Sequence, residues 1–282
     1  MNQLMHRKDF IKSALAAFSV PPLFGGTAHA QATPTQTSEE KSTPTHDMSQ
    51  FPENWTRPDQ IIMILYPGFT ALDLIGPQYF FGSLMGATVH LAAKTLDPVR
   101  SDTGVSLLPT IKFQDCPKTC DVIFVPGACQ GMLDAIEDNE TMDFIRSRGE
   151  TARFVTSVCT GSIILGAAGL LDGYKATSHW VTRPLLHHFG AKEINERVVI
   201  DRNRITAAGV SAGLDLGLHL TLQLRDEFYA HTMQLLAEYA PAPPFQYGTP
   251  DRFKPEELKM IQGMFSGFVK KTEALGRKHT RK

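Results

Sequence analysis

An excess of either charge is the first thing this 282-residue chain lacks. Its 28 lysines and arginines meet 29 aspartates and glutamates, for a formal net charge of −1. Without a field of one sign, neither nucleic acid nor an anionic membrane surface is expected as a partner. Basic residues gather only at Gly276-Arg277-Lys278-His279-Thr280-Arg281-Lys282, which reads as a solvated end. Cysteine is scarce, four in all, and no Cys-x-x-Cys spacing suggests a metal site. There is no internal repeat. The weakly apolar run from Ser13 to Phe24 contains Pro21 and Pro22 and is too short to span a bilayer, so no stable membrane insertion is expected.

What is present falls into four stretches. Arg7-Lys8-Asp9-Phe10-Ile11-Lys12, the run after it, and Ala28-His29-Ala30 before Gln31 have the layout of a bacterial export signal over 1–30. The basic core resembles a twin-arginine signal with lysine in the second basic place. This predicts a periplasmic protein; a leader on a cytoplasmic protein is the alternative. Residues 31–56 are rich in Thr, Ser, Pro, Gln and Glu and almost free of apolar side chains, the composition of a linker. A folded domain over 57–240 follows, then an extension over 241–282 with one helix expected from Pro255 to Leu275, its Pro255-Glu256-Glu257 suiting a helix start.

Within the domain, Ile61-Ile62-Met63-Ile64-Leu65, Asp121-Val122-Ile123-Phe124-Val125 and Phe154-Val155-Thr156-Ser157-Val158 are short apolar runs that suit parallel strands buried on both faces. Thr88 to Ala93 reads as another strand, and Gly104 to Leu108 as part of an edge hairpin. Val198 to Ala207 reads as two strands around a polar turn. Helices are expected over Asp73 to Leu84, with Pro77 near its start, and over Asn139 to Arg148, Ile163 to Leu171, Thr182 to Phe189, Ala212 to Arg225 and Asp226 to Tyr239. This alternation predicts an α/β fold: an open, mostly parallel, doubly wound sheet with helices on both faces, a flavodoxin-like three-layer sandwich. Ligands of such sheets sit beyond the carboxyl ends of the strands.

Three strand ends can meet there. One loop carries Phe69 and Asp73, a second carries Gly127 and Ala128, and the third is the turn at Cys159-Thr160. A cysteine between a strand and a small-residue helix is placed like a nucleophile at an elbow, in a strained backbone, with the helix end favouring thiolate. With a carboxyl and backbone N–H groups beside it, this is a kit for covalent catalysis. Plainer readings stand beside it. Cys159 could be a small buried hydrophobe, Asp73 a helix cap, Gly127 a strand terminator, and His179 a structural hydrogen-bonding residue. Cys116 and Cys120 could pair in an exported protein; Cys129 could lie near Cys159 as a redox partner. His187-His188 reads as solvent-facing.

Tyr66-Pro67-Gly68-Phe69-Thr70-Ala71-Leu72-Asp73-Leu74-Ile75-Gly76-Pro77, Phe124-Val125-Pro126-Gly127, Ser157-Val158-Cys159-Thr160-Gly161 and Gly169 through Trp180 resemble the ThiJ/PfpI superfamily from about Gln60 to Leu224. The first-loop Leu72-Asp73 and the threonine after the cysteine are similar to its isonitrile hydratase branch. The usual Pro-Gly-Gly loop is here Pro126-Gly127-Ala128, where alanine would be strained if positive φ were needed. The resemblance implies cofactor-free hydration of an isonitrile to an N-substituted formamide, with a small molecule as substrate and a homodimer as the assembly. In that reading Cys159 is the nucleophile and Asp73 acid then base, its pKa raised by the neighbouring thiolate. Thr160 orients water through its hydroxyl, and the N–H groups of Thr160 and of Gly127 or Ala128 stabilise developing charge. Phe69, Ile75 and Trp180 wall the substituent, with His179 nearby. A protective protein against oxidants or reactive carbonyls, using the same cysteine, is the alternative. A transcription regulator fits poorly with the short C-terminal stretch and the export signal.

Overall fold

The computed structural model describes residues 52–279, all within the second of two units, 1–48 and 49–282. The expected export signal and most of the linker lie outside the described residues.

The elements are β1 (Gln60–Ile64), α1 (Ala71–Gly82), β2 (Thr88–Ala93), a small antiparallel ribbon β3 (Val99–Arg100) and β4 (Ser106–Leu107), and β5 (Ile111–Lys112). Next come β6 (Val122–Val125), α2 (Gln130–Glu137), α3 (Asn139–Gly149), β7 (Phe154–Val158), α4 (Gly161–Ala167), β8 (Lys175–Ala176) and β9 (Lys192–Glu193). The chain closes with β10 (Val198–Asp201), β11 (Arg204–Ala207), α5 (Ala212–Leu224), α6 (Glu227–Leu236), α7 (Pro255–Met264) and α8 (Ser266–His279). Seven strands form one open sheet in the order β10-β11-β7-β6-β1-β2-β5, parallel except for the β10–β11 hairpin. Ile61 to Ile64 and Val122 to Val125 are buried throughout, because central strands are covered on both faces. α1, α5 and α6 pack together in one group; α2, α3, α4, the 3-10 segment Arg183–Phe189 and α8 pack in another.

Four expectations change. Pro77 is not near a helix start but is the seventh residue of α1. Its ring is spent on packing: a Cβ at Gly213 of α5 would stand 3.1 Å from it. The C-terminal helix is two helices, broken at Phe265 (φ −96, ψ 2), whose ring stands edge-on to Trp180 with centroids 6.2 Å apart. From there α8 lies against Arg183–Phe189, with Thr272 buried and Gly276 so close that a Cβ would meet His188 Cβ at 2.6 Å. His188 accordingly faces Glu273 at 3.7 Å rather than open solvent. Finally, packing begins before Arg57. Trp55 is buried in the 3-10 turn Glu53–Thr56 and donates through Nε1 to Asp226 at 2.7 Å.

Candidate active site

The chain passes from β1 to β2 and β5 on one side, while β6 and β7 lie on the other. Strand order therefore reverses at the carboxyl ends of β1 and β6, the edge at which sheets of this kind hold their ligands. The two loops there are laced together: Thr70 N–H donates to the Gly127 carbonyl at 2.8 Å, and Phe69 bridges Ala128. The carboxyl ends of β7 and β11 flank the same edge.

Cys159 occupies the turn between β7 and α4 with φ 59, the left-handed region that non-glycine residues rarely adopt. Its N–H donates to the Ala207 carbonyl at 3.0 Å. Its own carbonyl accepts from the Ser162 hydroxyl at 3.1 Å and the Ser178 hydroxyl at 3.0 Å. The residue is only 6% exposed. Asp73, in the first turn of α1, is fully buried. Its Oδ2 accepts the Gly127 N–H at 2.9 Å, and Oδ1 has no partner at hydrogen-bonding geometry among the described residues. The helix start is served by Asp102 instead, which accepts from Ala71 N–H at 3.2 Å; Asp73 is not the cap.

Gly127 stands between the two reactive groups. A Cβ there would meet Thr160 N at 2.6 Å, Asp73 Oδ2 at 2.8 Å and Cys159 Cβ at 2.8 Å, so only glycine fits. Burial pushes the Asp73 carboxyl up to about 7, against the lowering by the Gly127 N–H and the Cys159 thiol, with Asp102 adding a smaller push upward. Loss of water, rather than a neighbouring thiolate, is the main cause. Burial and then Asp73 hold the Cys159 thiol well above the usual range, although the Thr160 N–H on the sulfur pulls the other way. The expected activation by the helix end is thus outweighed. The first proton to leave this pair belongs to both groups and comes off near neutrality.

The other expected site residues are placed as follows. The Thr160 hydroxyl accepts from Ala128 N–H at 2.8 Å and donates to the Ala128 carbonyl at 2.7 Å, so it is committed to the loop and does not orient water. For the same reason the N–H groups of Ala128 and Gly127 are occupied, and neither is a free donor for developing charge. Ala128 is not at positive φ, so alanine sits there unstrained. Phe69 is fully buried in the core and meets the site through its backbone; Ile75 is 40% exposed on the outer face of α1. His179 lies beside the nucleophile: a Cβ on Gly209 would meet its Cδ2 at 3.1 Å and Cys159 Cβ at 3.4 Å. Burial lowers its pKa, which keeps the ring neutral. Trp180 turns instead to Phe265 and lines a cavity of about 260 Å³ with Leu185 and Val269.

Sequence reasoning missed Gly209, Ser178, Ser162, Asp102 and Tyr66. Gly209 follows β11 at φ 146, and the fourth strand end at this edge was the available signal. Tyr66 is buried and donates to the Pro126 carbonyl at 2.7 Å. Cys116, Cys120 and Cys129 are all free thiols; burial pushes Cys116 to about 11 and Cys120 to about 12. Among the described residues no group of three or more His, Cys, Asp or Glu is placed to hold a metal ion, and no helix is long and apolar enough to cross a membrane.

Comparison with known proteins extends this geometry. The DJ-1/PfpI family model matches residues 59–223. The isonitrile hydratase of Pseudomonas putida is 50% identical over 192 residues, covering 68% of this chain and 83% of that protein. A solved THiJ/PfpI family protein from Pseudomonas syringae superposes with a TM-score of 0.78 at 48% identity, over 88% of this chain and 98% of its own. Oxidized Toxoplasma gondii DJ-1, 18% identical, superposes with a TM-score of 0.58 over 65% of this chain and shares the fold.

Proposed function

We propose, from the premise that this chain belongs to the DJ-1/PfpI family, that it hydrates an isonitrile, R–N≡C, to an N-substituted formamide using Cys159 and Asp73. The observation that carries the reading is the buried pair itself: a strained cysteine facing a carboxyl that titrates near 7, in a chain half identical to an isonitrile hydratase.

A carboxyl with that pKa is suited to move a proton in both directions at neutral pH. Asp73 takes the thiol proton as sulfur adds to the terminal carbon, and passes it to that carbon, giving the thioimidate R–N=CH–S–Cys159. The carboxylate then accepts a proton from water as the hydroxyl oxygen adds to the same carbon, and that proton goes to nitrogen. When the C–S bond breaks, the hydroxyl proton returns through Asp73 to the leaving sulfur and R–NH–CHO departs. The Thr160 N–H steadies the sulfur while it carries charge. The redox alternative is disfavoured by the raised thiol pKa, since a low-pKa thiolate is the form that oxidises readily.

Turnover of cyclohexyl isonitrile to its formamide by the whole protein and by Cys159→Ala tests the assignment. Full loss in the variant with an unchanged Tm supports it; unchanged turnover refutes it. We also place the mature protein in the periplasm, as the expected signal implies, and as a dimer. The exposed Leu72, Ile75 and Tyr79 on one face of α1 suit self-association. Cell fractionation and light scattering decide these two points.

A further inference from the structure

We propose that Ser178 is a positioning residue of this site: its hydroxyl holds the Cys159 carbonyl and so fixes the left-handed backbone that aims the sulfur at Asp73. The inference rests on Cys159 being the nucleophile. A non-glycine residue at φ 59 is in a strained conformation that persists only where its surroundings over-determine it. Three groups do so here. The Ala207 carbonyl takes the Cys159 N–H, and two hydroxyls meet its carbonyl. Ser162 is local, in the first turn of α4. Ser178 comes from 19 positions later in the chain and is, of the two carbonyl ties, the one that depends on the fold.

Ser178 is itself fully buried, as is Thr182, and their hydroxyl oxygens are 2.9 Å apart. A carbonyl cannot donate, so the one proton of Ser178 goes to Cys159 and its oxygen accepts; the one proton of the Thr182 hydroxyl is shared between Ser178 at 2.9 Å and the His179 carbonyl at 3.2 Å. The same turn is closed by Thr182 N–H and Arg183 N–H, both donating to the His179 carbonyl at 2.8 Å. One knot thus ties the nucleophile's backbone to the turn that presents His179. Alanine at 178 would leave the Cys159 carbonyl with Ser162 alone and let the peptide relax. The sulfur would then shift from Asp73 and from the Thr160 N–H, both of which act on its proton.

The titratable groups around the sulfur are Asp73 from α1, Tyr66 after β1, Cys129 ahead of α2, and His179; Asp102 acts on Asp73 and Cys129. No hydrogen bond joins any of their side chains to Ser178, so a change of pH profile on altering Ser178 reports movement of the pair.

The test compares the whole protein with Ser178→Ala, Ser178→Thr and Ser162→Ala. It reads kcat and KM for cyclohexyl isonitrile and the rate of Cys159 alkylation by iodoacetamide against pH, followed by peptide mass spectrometry. Ser178→Ala is expected to lower kcat about tenfold or more with KM within about twofold, and to move the alkylation midpoint by about half a pH unit or more. Ser178→Thr, which keeps the hydroxyl, is expected to restore both, and Ser162→Ala to have the smaller effect. Wild-type kcat and an unmoved profile in Ser178→Ala would overturn the proposal. If the wild type turns over no isonitrile, the hydratase reading fails, and the alkylation profile alone still decides the role of Ser178. Should Ser178→Ala not fold, Thr182→Val removes the hydroxyl behind Ser178; a shifted profile there supports the knot and an unmoved one overturns it.

Discussion

Asp73 gives up its water on entering α1 and receives only the Gly127 N–H and the Cys159 thiol in return, which leaves its carboxyl titrating at about 7. Two outcomes follow at this scale. The pH profile of kcat/KM is expected to rise through about 7, as the pair loses its first proton, and to fall only well above the usual thiol range, as it loses the second; Asp73→Asn removes the acid limb and costs about 100-fold or more in rate. Stability carries the opposite sign to the usual carboxylate. The folded state holds a proton on Asp73 that the unfolded chain has released, so this residue's contribution falls as pH rises from the ordinary carboxylate value of 3.8 to about 7. Thermal melts should therefore show the Tm of Asp73→Asn gaining on wild type across that window and levelling above it. That Cys159 and Asp73 come together was legible in the sequence, because a strand-to-helix turn and a loop after a buried strand are local signals. The commitments of Thr160, Gly127 and Ala128 were not. Each depends on a partner at least 30 positions away, and expecting free donors there was the error.

At the scale of elements, the site exists because two loops and a helix start approach more closely than side chains would allow. A Cβ on Gly161 would lie 2.2 Å from the Val125 carbonyl oxygen, and one on Gly131 would lie 2.4 Å from that of Pro67. Gly127→Ala is the sharpest probe, since its methyl would be driven into Thr160 N, Asp73 Oδ2 and Cys159 Cβ at once. It should abolish isonitrile turnover and lower stability by about 1–3 kcal/mol in a urea titration. The buried strands and α5 were legible from their apolar runs and helical spacing. α2 was not, because its second residue is Gly131, a poor helix former retained for the approach to Pro67. The break between α7 and α8 was missed although Gly263 and Ser266-Gly267 flank it, poor helix formers on either side of Phe265, whose ring then meets Trp180.

For the whole molecule, the tie between its start and its last core helices is the buried pair Arg225–Asp59. The same guanidinium donates to the carbonyls of Trp55, Arg57, Leu224 and Met85. Arg225→Met would leave the buried Asp59 with only the half-exposed Arg57 at 3.0 Å and those four carbonyls without their donor, and chemical denaturation should show a loss of about 3 kcal/mol. This closure explains why a start at Arg57 was legible but too late. Trp55 is one aromatic in a polar stretch, and its partner Asp226 lies 171 positions on. The order of strands, once known, puts the switch point at the carboxyl ends of β1 and β6 and brings Cys159 and Asp73 to it. Whether Cys159 forms a bond to the isonitrile carbon is read by rapid acid quench of the protein turning over cyclohexyl isonitrile, with intact and peptide mass spectra. An adduct of one isonitrile mass is expected on the peptide bearing Cys159, absent in Cys159→Ala. Sustained turnover with an unmodified Cys159 peptide at every quench time would contradict that bond.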